Sequence, residues 1–307
     1  MTRVAAVDCG TNSIRLLVAD VDPDAAVLTD VDRRMEIVRL GEGVDRTGRF
    51  SPAALERTFA ACRRYAEVIT MTGAERLRFV ATSASRDVAN RDDFVAGVRA
   101  ALGVDPEVVS GDEEAALSFA GATRELLGTD CRPPLLVVDI GGGSTEFVLG
   151  ETSVHAARSI DIGCVRMTER HLHDDPPGAE QVAAARSDIE AGIARAAETV
   201  PIQQAGTLVG LAGSVTTVAA MALDLPAYMP QRIHRSRVSA AEVQSVTSRL
   251  LAMTRAERAA LPFMHPGRVD VIGAGALILA CVVEAAAVDE VLVSEHDILD
   301  GIAWSLA

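Results

Sequence analysis

Asp8-Cys9-Gly10-Thr11-Asn12-Ser13 and Asp139-Ile140-Gly141-Gly142-Gly143-Ser144-Thr145-Glu146 decide how this chain is read. The first is a polar, glycine-containing stretch between the β-prone runs 4–7 and 14–18, and the second lies between the runs 135–138 and 147–149. Each spells a strand, a tight turn and a returning strand. Asp8, Gly10 and Ser13 recur as Asp139, Gly141 and Ser144 at one constant offset. A repeat of that kind is the trace of two similar domains.

Around these hairpins, strands and helices alternate. A helix is predicted over 51–72, with Ser51-Pro52 as cap and first turn, followed by a strand at 77–82, a helix over 91–102, a short strand at 108–109 and a helix over 112–127. Gly128 to Pro134, with Gly, Asp and two prolines, punctuates the chain and places the domain boundary near residue 128. The second half reads as a helix over 179–199, a strand at 208–211, helices over 215–223, 240–253 and 271–288, a strand at 291–293 and a helix from about Ile298. The expectation is an α/β protein with domains at 1–128 and 129–307, the last helix, 298–307, packing back on the first domain.

The chain has 307 residues, 49% of them apolar and 23% charged, which excludes a disordered or low-complexity protein. Lys plus Arg number 29 against 43 Asp plus Glu, a formal charge of −14, so broad electrostatic capture of nucleic acid is not expected. A polyanionic substrate must then be held by a few placed arginines, backbone amides and a divalent cation. The five cysteines are widely spaced with no C-x-x-C pair, so they read as small buried apolar residues and not as a disulfide framework or zinc site. The first apolar run meets Asp8 and Gly10 before a signal-peptide core can form. The longest apolar run, 271–283, falls short of the roughly 20 residues that span a bilayer. A cytoplasmic protein with no membrane partner is expected.

Two Gly/Ser/Thr turns, each opened by an aspartate at a strand end, suit a phosphate grip, because glycine lets amides approach an anion and hydroxyls add donors. The blander reading is a pair of tight hairpin turns, and the duplication argues against it. The aspartates suit Mg2+, which prefers carboxylates, waters and phosphate oxygens. Three more stretches qualify. Ser110-Gly111-Asp112-Glu113-Glu114-Ala115 puts carboxylates in the first turn of a helix, where acids otherwise serve only the helix dipole. Ala81-Thr82-Ser83-Ala84-Ser85-Arg86 offers a guanidinium fork, and Leu211-Ala212-Gly213-Ser214 offers amides at a helix N-terminus.

In the order in which they follow one another along the chain, these five motifs, with Gly273-Ala274-Gly275-Ala276 and residues 294–301, resemble the exopolyphosphatase and guanosine-pentaphosphate phosphatase family along the whole chain. Single loops are shared with sugar kinases and actin-like ATPases; the Gly-Asp-Glu-Glu-Ala helix start together with the Asp-Ile-Gly-Gly-Gly-Ser-Thr-Glu loop is far more specific. The resemblance implies two actin-like (ribonuclease H-like) domains with an active-site cleft between them, and release of terminal phosphate from inorganic polyphosphate with Mg2+, Mn2+ being an alternative and a monovalent cation an accessory. It implies Glu114 as the general base, with Glu113 the weaker candidate, and Asp139, Asp8 and Glu146 as organisers of the metal. Arg86, Gly10, Thr11, Asn12, Ser13, Gly141, Gly142, Gly143, Ser144, Thr145, Gly213 and Ser214 would hold phosphoryl oxygens. Such a division of labour fits phosphoryl transfer, which needs positioning and charge neutralisation more than covalent chemistry.

Guanosine pentaphosphate, hydrolysed to the tetraphosphate, is the alternative substrate, and a non-catalytic polyphosphate or alarmone sensor is the alternative of another class. An actin-like ATPase or sugar kinase is the third. A pure binder has no need of both Glu114 and Asp139. With two Tyr and one Trp in the chain, no base-stacking site stands out. Longer relatives carry additional C-terminal domains for which this chain has no room, and a homodimer is an open expectation. His171-Leu172-His173-Asp174-Asp175 reads as a polar loop, and His296-Asp297, lacking a matching upstream His, reads as structural.

Overall fold

The computed structural model describes residues 1–25, 27–86, 88–126 and 130–307. It divides into two units, Met1–Gly121 with Ile298–Ala307, and Ala122–Asp297. The boundary expected near residue 128 lies outside the described residues.

In unit 1, β1 (Thr2–Cys9), β2 (Ser13–Asp22) and β3 (Val27–Ile37) form an antiparallel meander, followed by α1 (Val44–Thr47), α2 (Pro52–Thr72), β4 (Arg76–Ala81), α3 (Arg91–Leu102), β5 (Glu107–Val108) and α4 (Gly111–Thr123). The strand order is β3-β2-β1-β4-β5, with β4 parallel to β1 and β5 parallel to β4. The two-residue period of a strand, with both faces buried, explains why β1 is apolar at every position from Val4 to Val7. Ala5, Val7 and Cys9 join the core that includes Tyr65 and Val68 of α2 and Phe94 and Val98 of α3, while Val4 and Ala6 face a second, smaller core. Ser51 caps α2, its Oγ accepting the Ala54 amide at 3.2 Å.

β3 was not anticipated from the sequence. Its Asp30, Asp32, Arg33, Arg34 and Glu36 mask the apolar alternation, and an edge strand with such charges resists pairing with another chain. α4 ends at Thr123, short of the expected 127.

Unit 2 repeats the plan. β6 (Leu135–Ile140), β7 (Thr145–Gly150) and β8 (Val154–Ile160) form a meander, followed by α5 (Cys164–His171), α6 (Ala179–Ala197), β9 (Thr207–Leu211), α7 (Ala212–Ala222), α8 (Pro230–Ile233), β10 (Arg237–Ser239), α9 (Ala240–Ala252), α10 (Arg255–Ala259), α11 (Ile272–Ala286) and β11 (Glu290–Val293). The order β10-β11-β9-β6-β7-β8 contains the same arrangement as unit 1, with β10 added at the edge. α11 is apolar on nearly every face because it runs through the core, packed on α5, α6, α7 and α9. β8, α5, β10 and the short helices went unseen in the sequence, and α7 starts at Ala212, three residues before the expected Val215.

The chain then returns to unit 1 as α12 (Ile298–Trp304), whose Ile298, Leu299, Ile302 and Ala303 cover Val4, Ala6 and Leu17. Gly301 lies against the Leu117 carbonyl so closely that a Cβ would overlap it. Asp300, 2% exposed, accepts from Arg33 Nη2 at 2.5 Å. Burial alone lowers the proton affinity of the Arg33 guanidinium, and the Asp300 and Asp30 carboxylates more than reverse that effect. Cys9, Cys62, Cys164 and Cys281 are buried free thiols as expected, and Cys131 is half-buried. Among the described residues no helix is long and apolar enough to cross a membrane.

Candidate active site

The sequence repeat reappears as a repeated hydrogen bond. In unit 1 the Gly10 amide donates to the Ser13 carbonyl at 2.9 Å, and in unit 2 the Gly141 amide donates to the Ser144 carbonyl at 3.0 Å. Both turns close on a strand pair, β1–β2 and β6–β7.

The unit 2 turn is held from behind by the start of α5. The Gly141 carbonyl accepts the Cys164 amide at 2.9 Å, the Gly142 carbonyl accepts the amides of Val165 (2.9 Å) and Arg166 (3.2 Å), and the Gly143 carbonyl accepts Arg166 Nε at 2.8 Å. Gly163 makes this approach feasible: a Cβ there would overlap the Gly142 carbonyl and the Gly143 amide. With the carbonyls tied to α5, the amides of Gly142, Gly143 and Ser144 donate to no described residue. A turn whose acceptors are occupied and whose donors are unspent can receive an anion. Thr145, wholly buried, spends its hydroxyl on the Ile162 carbonyl at 2.7 Å and so anchors the turn.

Asp139 and Glu146 face each other across β6 and β7 as register partners. Both are buried, at 8% and 1% exposure, and Glu146 accepts from Ser159 Oγ at 2.7 Å. Directly opposed residues bring their Cβ atoms within about 5.5 Å, which destabilises like charges unless something positive or polar lies with them. Two buried carboxylates form an oxygen-only donor set of the type that suits Mg2+.

Asp8 occupies the same place in unit 1 but has a different neighbour. Its β2 register partner is Arg15, whose Nε and Nη2 donate to Asp8 Oδ2 at 3.0 and 2.7 Å. Asp8 therefore enters as half of an ion pair. The unit 1 turn is braced by Gly41, whose amide donates to the Thr11 carbonyl at 2.8 Å, and by the Val38 and Arg39 amides on the Asn12 carbonyl at 3.1 and 2.9 Å. The Thr11 and Ser83 hydroxyls are hydrogen-bonded at 3.0 Å, which joins the turn to the motif after β4.

That motif brings Arg86 to the head of α4. Arg86 Nε donates to the Val109 carbonyl at 3.2 Å and Nη2 to the Glu114 carboxylate. The helix start follows from Ser110, whose Oγ accepts the Glu113 amide at 3.2 Å. The adjacent glutamates then diverge, as successive helical residues must. Glu113 is exposed and paired with Arg78 at 2.8 Å, whereas Glu114 is buried at 8% exposure. Arg86, Glu114, Asp8 and Gly10 to Ser13 belong to unit 1; Asp139, Gly141 to Glu146, Gly213 and Ser214 belong to unit 2.

At Leu211-Ala212-Gly213-Ser214 the strand turns directly into α7. Ala212 takes a φ of 66°, a left-handed conformation that costs a non-glycine residue roughly 1 kcal/mol or more. Strain of this kind is commonly retained where a backbone must present its amides. The structure adds a residue that the sequence reading missed. The Arg268 guanidinium lies over Gly213, where a Cβ would overlap it, and Nη1 donates to Thr217 Oγ1 at 3.3 Å. The guanidinium carbon also stands 5.8 Å from the Tyr228 ring centre. Pro266-Gly267-Arg268 carries no motif, so nothing local to the sequence could have singled it out.

His171 ends α5 instead of opening the polar loop expected there, which is confined to residues after it, and its Nε2 meets Asp188 of α6 at 3.0 Å. Burial raises the Asp188 proton affinity, but the His171 hydrogen bond and Arg170 outweigh it and hold the carboxyl below its usual range.

The fold and motifs have close counterparts. The model of the Ppx/GppA phosphatase family matches residues 17–307. The chain is 54% identical over 318 aligned positions to the protein of Mycobacterium tuberculosis named exopolyphosphatase 2, covering 100% of this chain and 99% of that one. A solved exopolyphosphatase-like protein superposes with a TM-score of 0.95 at 43% identity, covering 99% and 98% of the two chains. The Aquifex aeolicus Ppx-GppA enzyme superposes at 0.82 with 29% identity, covering 99% of each. With two α/β units built on one repeated plan, both of the actin-like type seen in these structures, the chain is an enzyme and belongs to the Ppx/GppA phosphatase family.

Proposed function

We propose that this enzyme is an exopolyphosphatase that removes terminal orthophosphate from inorganic polyphosphate by attack of water. The observation that carries the reading is the 54% identity, along the whole chain, to a protein named exopolyphosphatase. The geometry supports it with a buried carboxylate, Glu114, held by one guanidinium at a helix start, and with a turn in which the amides of Gly142, Gly143 and Ser144 donate to no described residue.

In this reading Glu114 accepts the proton of the attacking water, and Arg86 keeps its carboxylate oriented. The amides of Gly142, Gly143 and Ser144, those at the start of α7 around Gly213 and Ser214, and the turn at Gly10 to Ser13 hold phosphoryl oxygens. Asp139 and Glu146 would hold Mg2+, with Asp8 contributing only once Arg15 has released it, and the ion would neutralise phosphoryl charge. The net charge of −14 makes these few placed donors the means of holding a polyanion.

A second substrate, guanosine pentaphosphate, is favoured by 29% identity over 98% of this chain to the Aeromonas salmonicida protein named guanosine-5'-triphosphate,3'-diphosphate pyrophosphatase, of which this chain covers 59%.

Orthophosphate release by the wild type and by Glu114→Ala, with Mg2+, from short polyphosphate, long polyphosphate and guanosine pentaphosphate tests both. The expected result is release from polyphosphate that falls about 10²-fold or more in Glu114→Ala while binding persists. Release from guanosine pentaphosphate alone would install the second reading, and binding without release from any of the three would make the protein a sensor.

A further inference from the structure

His296 finds in the fold the partner that the sequence did not offer. His234, directly after α8, is held beside it: the Arg235 amide donates to the Val293 carbonyl at 2.7 Å and the Glu295 amide to His234 Nδ1 at 3.2 Å. The two imidazoles lie with ring centres 4.6 Å apart and planes inclined by 33°. Glu125 places Oε2 at 3.4 Å from His234 Nε2 and 3.3 Å from His296 Nδ1. His234 Nε2 is enclosed and makes no hydrogen bond. All three residues belong to unit 2, and one ligand atom from each lies within 4.8 Å of the others.

We propose that Glu125, His234 and His296 form a binding site for a transition-metal dication of the Zn2+ type, separate from the carboxylates Asp139 and Glu146. The separations carry the argument. Two ligands about 2.0–2.1 Å from a tetrahedral ion stand about 3.3 Å apart, which is the spacing of the carboxylate oxygen from each imidazole nitrogen. A direct charged hydrogen bond would draw them to about 2.8 Å. Two imidazoles with one carboxylate suit zinc, whereas Mg2+ and Ca2+ select oxygen. The Glu125 side chain is about half exposed, so ions have access and a fourth position is left for water.

Proton accounting sets the affinity. Ligation through Nε2 leaves the ring proton on Nδ1, so the Glu295 amide must give up its contact there when the ion enters. The site therefore binds more weakly than a dedicated structural zinc centre. Glu125 follows the chain's first passage out of unit 1 and His296 precedes its return, so the ion would join these two segments within unit 2.

The test is equilibrium dialysis of the chelator-stripped full chain against Zn2+ in excess Mg2+, for the wild type, Glu125→Gln and His296→Gln, with melting of each metal-free protein as the folding control. Glu125→Gln changes a half-exposed side chain and is expected to fold normally. One equivalent of zinc is expected in the wild type, with affinity reduced about tenfold or more in both variants. Co2+ in place of Zn2+ should give visible bands without a thiolate charge-transfer band. No zinc retained by the wild type, equal retention by wild type and both variants, or a thiolate band would each overturn the site. In the second case the ion sits elsewhere, the Asp139 and Glu146 carboxylates included.

Discussion

Arg86 donates through Nη2 to the Glu114 carboxylate and through Nε to the Val109 carbonyl, so one guanidinium fixes both the buried acid and the strand end that leads to it. Arg86→Ala leaves that acid buried and unpaired. Breaking a buried pair costs about 3–5 kcal/mol, and about 2–3 is expected here because one-fifth of the Arg86 side chain is exposed. Denaturant unfolding should show this loss, phosphate release should fall about 10²-fold, and Arg86→Lys should rescue stability better than rate, because an ammonium cannot reproduce the fork. Wild-type activity in Arg86→Ala would remove the residue from the site.

Gly163 tests whether the Gly141 to Ser144 turn works through its backbone. In Gly163→Ala the new methyl must displace the Gly142 carbonyl and Gly143 amide, at about 1–3 kcal/mol of overpacking. KM for polyphosphate should rise about tenfold or more. Gly178→Ala, where a Cβ meets nothing within 4 Å, serves as control and should leave KM unchanged. Equal kinetics in the two variants would argue that the turn does not touch substrate.

Asp139→Asn and Glu146→Gln each remove one of two opposed buried carboxylates. If these hold Mg2+, the Mg2+ concentration for half-maximal rate should rise about tenfold or more in both. Since like charges across a strand pair destabilise, the metal-free variants should melt no lower than the metal-free wild type. An unshifted Mg2+ titration would place the cation elsewhere.

The two tyrosines, Tyr65 and Tyr228, should both resist ionisation. Burial, then the Glu295 carboxylate, pushes the Tyr228 phenol up to about 12, and burial, then Glu36, raises Tyr65 further. In both, the folded state keeps its proton where the unfolded chain loses it near pH 10. Their contribution to stability is thus complete below pH 10 and is lost as pH rises toward the folded values. Absorbance at tyrosinate wavelengths should stay flat through pH 10 and rise only near 12 or with unfolding. A one-tyrosine step near pH 10 would contradict the packing of Tyr228 against Thr216 and Glu295.

Strands that lie deep in the sheets were legible because burial on both faces leaves an apolar run, as in β1, β6 and β9. β3 and β8 were not, since edge strands spend alternate positions on charge and solvent and lose the pattern that marks them. The start of α7 was misplaced for a related reason: Ala212 adopts a left-handed conformation that its side chain does not advertise.

By itself, the amino-acid sequence determined the duplication, the two turns and the acidic helix start, because each is a local pattern of residues close along the chain. Tertiary structure alone decided which of two adjacent glutamates is buried with an arginine, that Asp8 is paired with Arg15 while Asp139 faces Glu146, and that Arg268 lies over Gly213. The same holds for Glu125, His234 and His296. Their meeting depends on strand register and helix packing, which bring residues far apart in the chain within a few ångströms of one another, and spacing along the sequence carries no record of that distance.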